Sequence, residues 1–447
     1  MMLIMLPPGP KLPRLLQTAM MWTRPHTWAT NNQRRYGDVF RVWAAPSGWL
    51  VYLADPADIK TVFAGDPAVY HAGEANSIMR GVIGDNSVLL LDEKLHRDRR
   101  KLMLPPFHRD AVRRQTELMA EIADSDVARW PVGREFAVAP RMAAITLEVI
   151  LRTVIGADDP ARLAALREAL PKVTDMNLLD VSSMAKPELL RHLPWRGVRR
   201  RRAEADALLF AEIADRRADP NLAERTDVLA MLVRAADENG RAMSDRELRD
   251  QLITLLMAGH ETTATALSWT FERLVRHPEL LRRAVEAADG DSTADDDYLD
   301  AIIKESLRIR PVINEVARTL TQPVTIKGYD LPAGTLVMPA IGLVHASAEQ
   351  YPDPERFDPD RMLGVTLPPT TWFPFGGGGR RCLGATFALV EMRVVLRQLL
   401  RGVELETTDA PAEPQRPKHV TLVPARGARI RVRARRPVRT PAAAQTP

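Results

Sequence analysis

One cysteine occurs in 447 residues, Cys382, and it sits in FPFGGGGRRCLGATFALVEM, residues 373–392. Four glycines and two arginines lead up to it, and an apolar run with helical spacing follows. Several chemistries use such parts. A glycine loop that cradles phosphate runs into Lys-Ser or Lys-Thr, whereas GGGG here runs into Arg-Arg-Cys, so that reading fails. A zinc site needs several Cys or His ligands at short spacing, and none surround Cys382. A cysteine nucleophile needs a base, which only folding could bring from among the nine histidines.

A thiolate that ligates haem iron fits better. A cysteine at a helix start meets backbone N–H groups and the positive end of the helix dipole, which stabilise its anion. Glycines let the backbone approach a flat macrocycle, and Arg380 offers a cation to an anionic propionate. Phe375, Gly378, Arg380, Cys382 and Gly384 fill every fixed position of FxxGxRxCxG. That is the haem-binding loop of the cytochrome P-450 superfamily, and the chain resembles a soluble bacterial-type member along most of its length. The resemblance makes Cys382 the axial ligand and the other four residues cofactor-binding.

Further segments carry the same resemblance. Glu305 and Arg308 in KESLR resemble the family's ExxR pair, and Arg356 in PERF its third member. The i, i+3 spacing puts Glu and Arg on one helix face. ExxR begins at six glutamates, and Glu305 is selected by order: it follows AGHETT (258–263), precedes PERF and the cysteine loop, and has Pro311 ending its helix. The implied role is support of the haem loop. AGHETT resembles the oxygen-activating groove of the long central helix, with Glu261 and Thr262 as the acid–alcohol pair. A threonine hydroxyl that leaves its own helix ladder holds water or hydroperoxide beside the iron, and the carboxylate relays protons. His260 is read as a polar filler. His96 and Arg100 in LHRDRR resemble the HxxxR pair, and Arg318 in VARTL matches a strand arginine; all three are expected on the propionates.

The resemblance implies a monooxygenase that inserts one oxygen atom of O2 into a hydrophobic lipid, sterol, terpenoid or xenobiotic, with haem b as cofactor. A cysteinate axial ligand pushes electron density into iron and favours O–O cleavage. No G-x-G-x-x-G follows a predicted strand, so electrons are expected from a ferredoxin and its reductase, or a flavodoxin. Arg100, Lys101, Arg109, Arg113, Arg114 and Arg381 are candidates for the docking patch. Peroxide-driven turnover is the alternative within the family, although keeping Glu261-Thr262 argues against it. A non-catalytic haem-binding sensor and a cysteine hydrolase are the readings from other classes. Ala258, Val312 and Ile313, the 70–91 loop and the segment near 172–195 are the expected pocket wall, and Asn314 the polar group in it.

The elements that must position these residues are mostly helical. Apolar residues make up 45% and charged ones 27%, the balance of an ordinary globular protein. Residues 39–53 read as two strands around a Pro-Ser-Gly turn, and Ser244 with Glu247 as a capping box that opens a helix to about Val275. A second helix spans about 294–309, 323–340 read as a hairpin, a helix follows Cys382 to about Leu400, and short strands fill 403–434. The fold class is therefore mainly α with small β-sheets (α+β), a P-450 fold with a long central helix over haem. Residues 1–10 form a Pro-rich segment without an anchor, 11–434 a single catalytic domain, and 435–447 a disordered tail. The net charge is +5; the arginine runs at 196–202 and 429–439 lack interleaved aromatics, so nucleic acid is not expected. A monomer in the cytoplasm follows, with contact at a membrane surface left open by the PPGP hinge.

Overall fold

The longest helix starts where a reciprocal cap fixes it. The Ser244 hydroxyl accepts from the Glu247 N–H, the Glu247 carboxylate accepts from the Ser244 N–H, and the helix runs unbroken from Asp245 to Leu274. The computed structural model describes residues 5–174, 180, 182–183 and 187–437. The helices that frame the site are α1 (Arg14–Thr23), α2 (Pro25–Tyr36), α3 (Pro56–Ala64), α4 (Glu93–Met103), α5 (Ala139–Ile150), α6 (Asp245–Leu274), α7 (Thr293–Ile309) and α8 (Ala385–Gly402). A second capping box, Ser292 with Asp295, opens α7, and Pro311 follows its end. The long helices bury their apolar faces against one another in the main core, which includes Met142 and Ile145 of α5, Leu252 and Leu256 of α6, Ile302 of α7 and Leu396 of α8. Among the described residues no helix is long and apolar enough to cross a membrane.

One sheet holds five strands in the order β1 (Val39–Ala44), β2 (Gly48–Leu53), β8 (Leu336–Pro339), β5 (Arg318–Leu320) and β3 (Tyr70–His71). β1 and β2 form the expected hairpin, while β2 and β8 run parallel. Alternation along β2 divides its side chains between two cores. Val51 and Leu53 pack with Ile59, Val337 and Phe373, whereas Leu50 and Tyr52 pack with Trp28, Phe40 and Met338. Three smaller sheets complete the β content: β6 (Val324–Ile326) with β7 (Tyr329–Leu331), β10 (Gln415–Lys418) with β11 (Thr421–Pro424), and β4 (Glu135–Ala137), β12 (Arg429–Arg435) and β9 (Val403–Leu405).

Three expectations are corrected here. The 323–340 hairpin ends at Leu331: Gly334, with φ +81°, donates to the Leu320 carbonyl at 2.7 Å and turns the chain away, and Leu336–Pro339 then joins the main sheet instead. The 70–91 segment is not a plain loop: it starts as strand β3, continues as short helices to Ile83 and ends in turns, and its Val82, Ile83, Val88 and Leu90 enter the main core. Arg435 and Arg436, placed in the tail, are held by the Val127 carbonyl (3.0 Å) and by Asp289 (2.6 Å). The rest of the tail from 438 onward, residues 1–4, and residues 175–179, 181 and 184–186 of the expected pocket segment lie outside the described residues. Pro8 and Met5 accept hydrogen bonds from Arg41 and Asp330, so the N-terminal segment joins two sheets.

Glu391 on α8 is 1% exposed, its Oε1 has no hydrogen-bond partner, and burial raises its carboxyl well above the ordinary range. A carboxyl whose folded pKa is raised costs no stability below the unfolded value near 4.5, and costs progressively more as pH rises above it. Glu391→Gln is therefore expected to gain thermal stability relative to wild type between about pH 5 and about pH 8. A difference in melting temperature that does not change with pH would contradict this.

Candidate active site

The glycine loop is pressed against α3. Gly376 and Gly378 have φ of +66° and +63°, and a Cβ at Gly378 would stand 2.1 Å from the Phe63 carbonyl oxygen. No other residue type fits both the conformation and the approach. Gly376 donates to the Phe373 carbonyl and Cys382 to the Phe375 carbonyl, each at 2.9 Å, so the loop closes on itself before α8 begins at Ala385. Gly384 is the N-cap of α8, and its N–H donates to the Cys382 sulfur. Burial pushes the thiol up, against the opposing pull of Gly384, Arg100 and Arg381. Cys382 is nonetheless exposed. A side chain surrounded by protein yet uncovered faces interior space. Ala258 is likewise exposed in the middle of α6, while Leu256 and Thr263 beside it are buried.

His96, Arg100, Arg318 and Arg380 gather beside that loop. His96 is buried, and desolvation first, then Arg380 and Arg100, hold its pKa down to about 4, so it is neutral at pH 7. Arg318 is buried, donates to the Ala317 carbonyl at 2.7 Å and stacks 6.0 Å from the Phe63 ring centroid. Burial and then Arg380 lower its pKa to about 10. Among the described residues neither Arg318 nor Arg100 has a carboxylate partner. Arg380 does: its guanidinium bonds Asp92 and the Leu91 carbonyl, so it is already engaged. Asp92 is further occupied by the Gly73 and Glu74 N–H groups. Interior cations without counter-charge, beside a lone cysteine on a loop that only glycine can form, fit a planar anionic macrocycle ligated through sulfur.

The groove of α6 differs from expectation. The Thr262 hydroxyl donates back to the Ala258 carbonyl of its own helix instead of leaving the ladder, a bond any helical threonine can make. Glu261 meets the turn between β10 and β11, with Lys418 Nζ at 3.1 Å and His419 Nδ1 at 3.4 Å. Although burial opposes it, His419 and Lys418 hold the Glu261 carboxyl below its usual pKa. His260 has a definite structural role: Nδ1 lies 3.0 Å from the Thr146 hydroxyl, which also donates to the His260 carbonyl at 3.1 Å and so ties α5 to α6. Val312 is buried, with its carbonyl bonded by Leu422, and Ile313 is half-buried. Asn314 lies against α-helical Gly342, where a Cβ would stand 2.7 Å from Oδ1.

Glu305 and Arg308 are fully buried and bidentate, both contacts being 2.7 Å. Arg308 also donates to the carbonyls of His345 (2.8 Å) and Arg356 (3.3 Å). His345, held neutral by burial with its pKa down to about 3, accepts from the Phe373 N–H at 3.2 Å. This leads from α7 to the first residue of the cysteine loop. The expected third member is corrected: the Arg356 side chain is 69% exposed and faces Asp358, while Arg361 Nε reaches Glu305 at 3.1 Å. The Asp358 N–H also donates to Glu305, which turns the chain so that Arg361 of the second Pro-acid-Arg triplet, Pro359-Asp360-Arg361, points inward. Arg361→Ala is expected to cost about 1–3 kcal/mol in denaturant unfolding, and Arg356→Ala within about 0.5 kcal/mol of nothing. Equal losses would reverse the assignment.

The chain matches the cytochrome P450 family over residues 6–432. It is 63% identical over 436 residues to a putative cytochrome P450 135B1 of Mycobacterium tuberculosis (strain ATCC 25618 / H37Rv), covering 97% of this chain and 92% of the relative. It is 41% identical over 430 residues to a putative cytochrome P450 135A1 of the same strain, covering 96% and 95%. Among solved structures, retinoic acid-bound cyanobacterial CYP120A1 superimposes with a TM-score of 0.82 at 25% identity, covering 96% of this chain and 99% of that one. The haem domain of cytochrome P450DA does so with a TM-score of 0.82 at 26% identity, covering 97% and 99%. With fold, loop and relatives in agreement, the chain belongs to the cytochrome P450 family and is a haem-dependent monooxygenase.

Proposed function

We propose that Cys382 would hold the iron of protoporphyrin IX through its thiolate, and that Arg100, Arg318 and neutral His96 would hold its propionates. The observation that carries this is the pair of interior arginines without a carboxylate among the described residues, next to a cysteine that faces interior space. Phe375, Gly378 and Gly384 would let the macrocycle lie close to the loop, and Glu305, Arg308 and Arg361 keep the loop in place through His345 and Phe373. When bound, a thiolate-ligated haem supplies dioxygen activation.

The chain's own residues supply placement and protons. Ala258, Val312 and Ile313 provide an apolar wall for a small hydrophobic substrate. Glu261, ionised at neutral pH and anchored at Lys418 and His419, stands between the β10–β11 turn and the helix turn that carries Thr262. Rotation of the Thr262 side chain away from the Ala258 carbonyl frees its hydroxyl to donate a proton, and the Glu261 carboxylate can relay its replacement by first taking a proton from the solvent side and then passing it on. Electrons come from a ferredoxin or flavodoxin. Arg109, Arg113, Arg114 and Arg381 are exposed and have no ion pair among the described residues, which suits an acidic partner. Arg100 faces inward and so does not belong to that surface, whereas Lys101 is exposed and pairs with the exposed Glu238 at 2.8 Å.

The test is turnover of apolar candidates with NADPH, a ferredoxin and its reductase under isotopically labelled O2. One labelled oxygen in the product is expected, and Thr262→Ala should divert reducing equivalents to peroxide with little loss of substrate binding. Product formed only with added peroxide would favour the peroxide-driven alternative, and no product with either oxidant would favour a sensor.

A further inference from the structure

Helix α1 lies against the main sheet with polar residues turned inward. β1 is the outer strand of that sheet, so its free N–H and C=O groups need partners. The Trp43 N–H donates to Gln17 Oε1 at 2.9 Å and the Ala45 N–H to the Thr18 hydroxyl at 3.1 Å, while the Trp22 indole donates to the Ala45 carbonyl at 3.4 Å. Gln17 is the only buried residue of α1, and Met20 and Met21 pack partly against the core beneath.

What remains outside is apolar. Leu12, just before the helix, and Leu15, Leu16, Ala19 and Trp22 recur at helical spacing, and all five are exposed, Leu15 by 80% and Trp22 by 54%. Trp49 of the β1–β2 hairpin is exposed as well and adjoins the stripe through Arg14, which stacks 5.5 Å from the Trp43 ring centroid and 6.0 Å from that of Trp49. Single exposed leucines are ordinary, but a continuous apolar stripe with a polar rim marks an interaction surface. An amphipathic helix normally turns such a stripe to the core, and α1 turns it to solvent.

Charge decides what covers it. No aspartate or glutamate occurs before Asp38, whereas Lys11, Arg14, Arg24, Arg34 and Arg35 do. All five are exposed, and among the described residues none of them has an ion pair. Two copies meeting on this face would bring like charges together. Leucines and a tryptophan along one side of a helix, flanked by lysine and arginine, suit the boundary between water and lipid, where acyl chains take the apolar residues and phosphates the cations. With 10 residues α1 has about half the length a membrane span requires, so it can only lie in the plane of that boundary. We infer that this face docks on an anionic bilayer surface, with Leu12, Leu15, Leu16 and Trp22 toward the acyl chains and Lys11, Arg14 and Arg24 on the headgroup phosphates.

The test is co-sedimentation of the haem-loaded protein with phosphatidylcholine vesicles, with and without about 30 mol% phosphatidylglycerol, at about 0.1 M salt. Wild type should bind the anionic vesicles and leave the neutral ones. Raising the salt to about 1 M, which shortens the screening length to about 3 Å, should weaken binding about tenfold. Leu15→Ser with Trp22→Ser, and separately Lys11→Gln with Arg24→Gln, should each weaken it about tenfold and leave the haem absorption spectrum as it is. Arg431→Gln with Arg433→Gln removes two charges from β12 instead and should leave the affinity unchanged. No sedimentation with anionic vesicles, equal binding to neutral ones, or binding that survives loss of Leu15 and Trp22 would overturn the inference. So would a dimer in sedimentation velocity that the same two substitutions disperse, since a second copy would then cover the stripe. The wild-type comparison of the two lipids decides the matter even if a variant does not fold.

Discussion

The ion pair between Glu305 and Arg308 is wholly out of solvent, and the site's geometry depends on it. Removing two charges from water costs several kcal/mol per ion, which mutual attraction offsets only when every remaining donor and acceptor is used. Here they are used. Glu305 takes the bidentate contact, the Asp358 N–H and Arg361, while Arg308 takes two carbonyls and lies 5.0 Å from the Tyr351 ring centroid. Because one carbonyl belongs to His345, whose ring accepts from Phe373, the pair's satisfaction and the loop's position are one arrangement. Losing either partner would leave a buried charge directly behind the cysteine loop.

On the opposite side of the loop the balance is left open. Among the described residues Arg100 and Arg318 are cations in the interior without acids, although Asp92 stands close and is taken by Arg380 and two backbone N–H groups. A fold that satisfies Glu305 so fully and leaves Arg318 so poorly satisfied is one completed by an anionic group.

The cysteine loop and the ExxR helix were legible in the sequence because their chemistry is local: glycines where φ is positive, and charges three residues apart. What could not be read depends on distant partners. Pro-acid-Arg occurs twice within eight residues, and only the hydrogen bond from Asp358 to Glu305 decides that Arg361 turns in and Arg356 out. Whether Thr262 bonds its own helix is a rotamer choice that residue type does not reveal. Leu336–Pro339 looks like the third strand of a local run, but its partners are β2, nearly 300 residues away, and β5.

The central claim is that Cys382 binds haem iron as a thiolate. The most direct measurement is the absorption spectrum of the dithionite-reduced protein under carbon monoxide, for wild type and for Cys382→Ala. The account predicts a strongly red-shifted Soret band in the wild type that is absent in the variant. A wild-type band at the position of a histidine-ligated haem, or a red-shifted band that persists without Cys382, would contradict it.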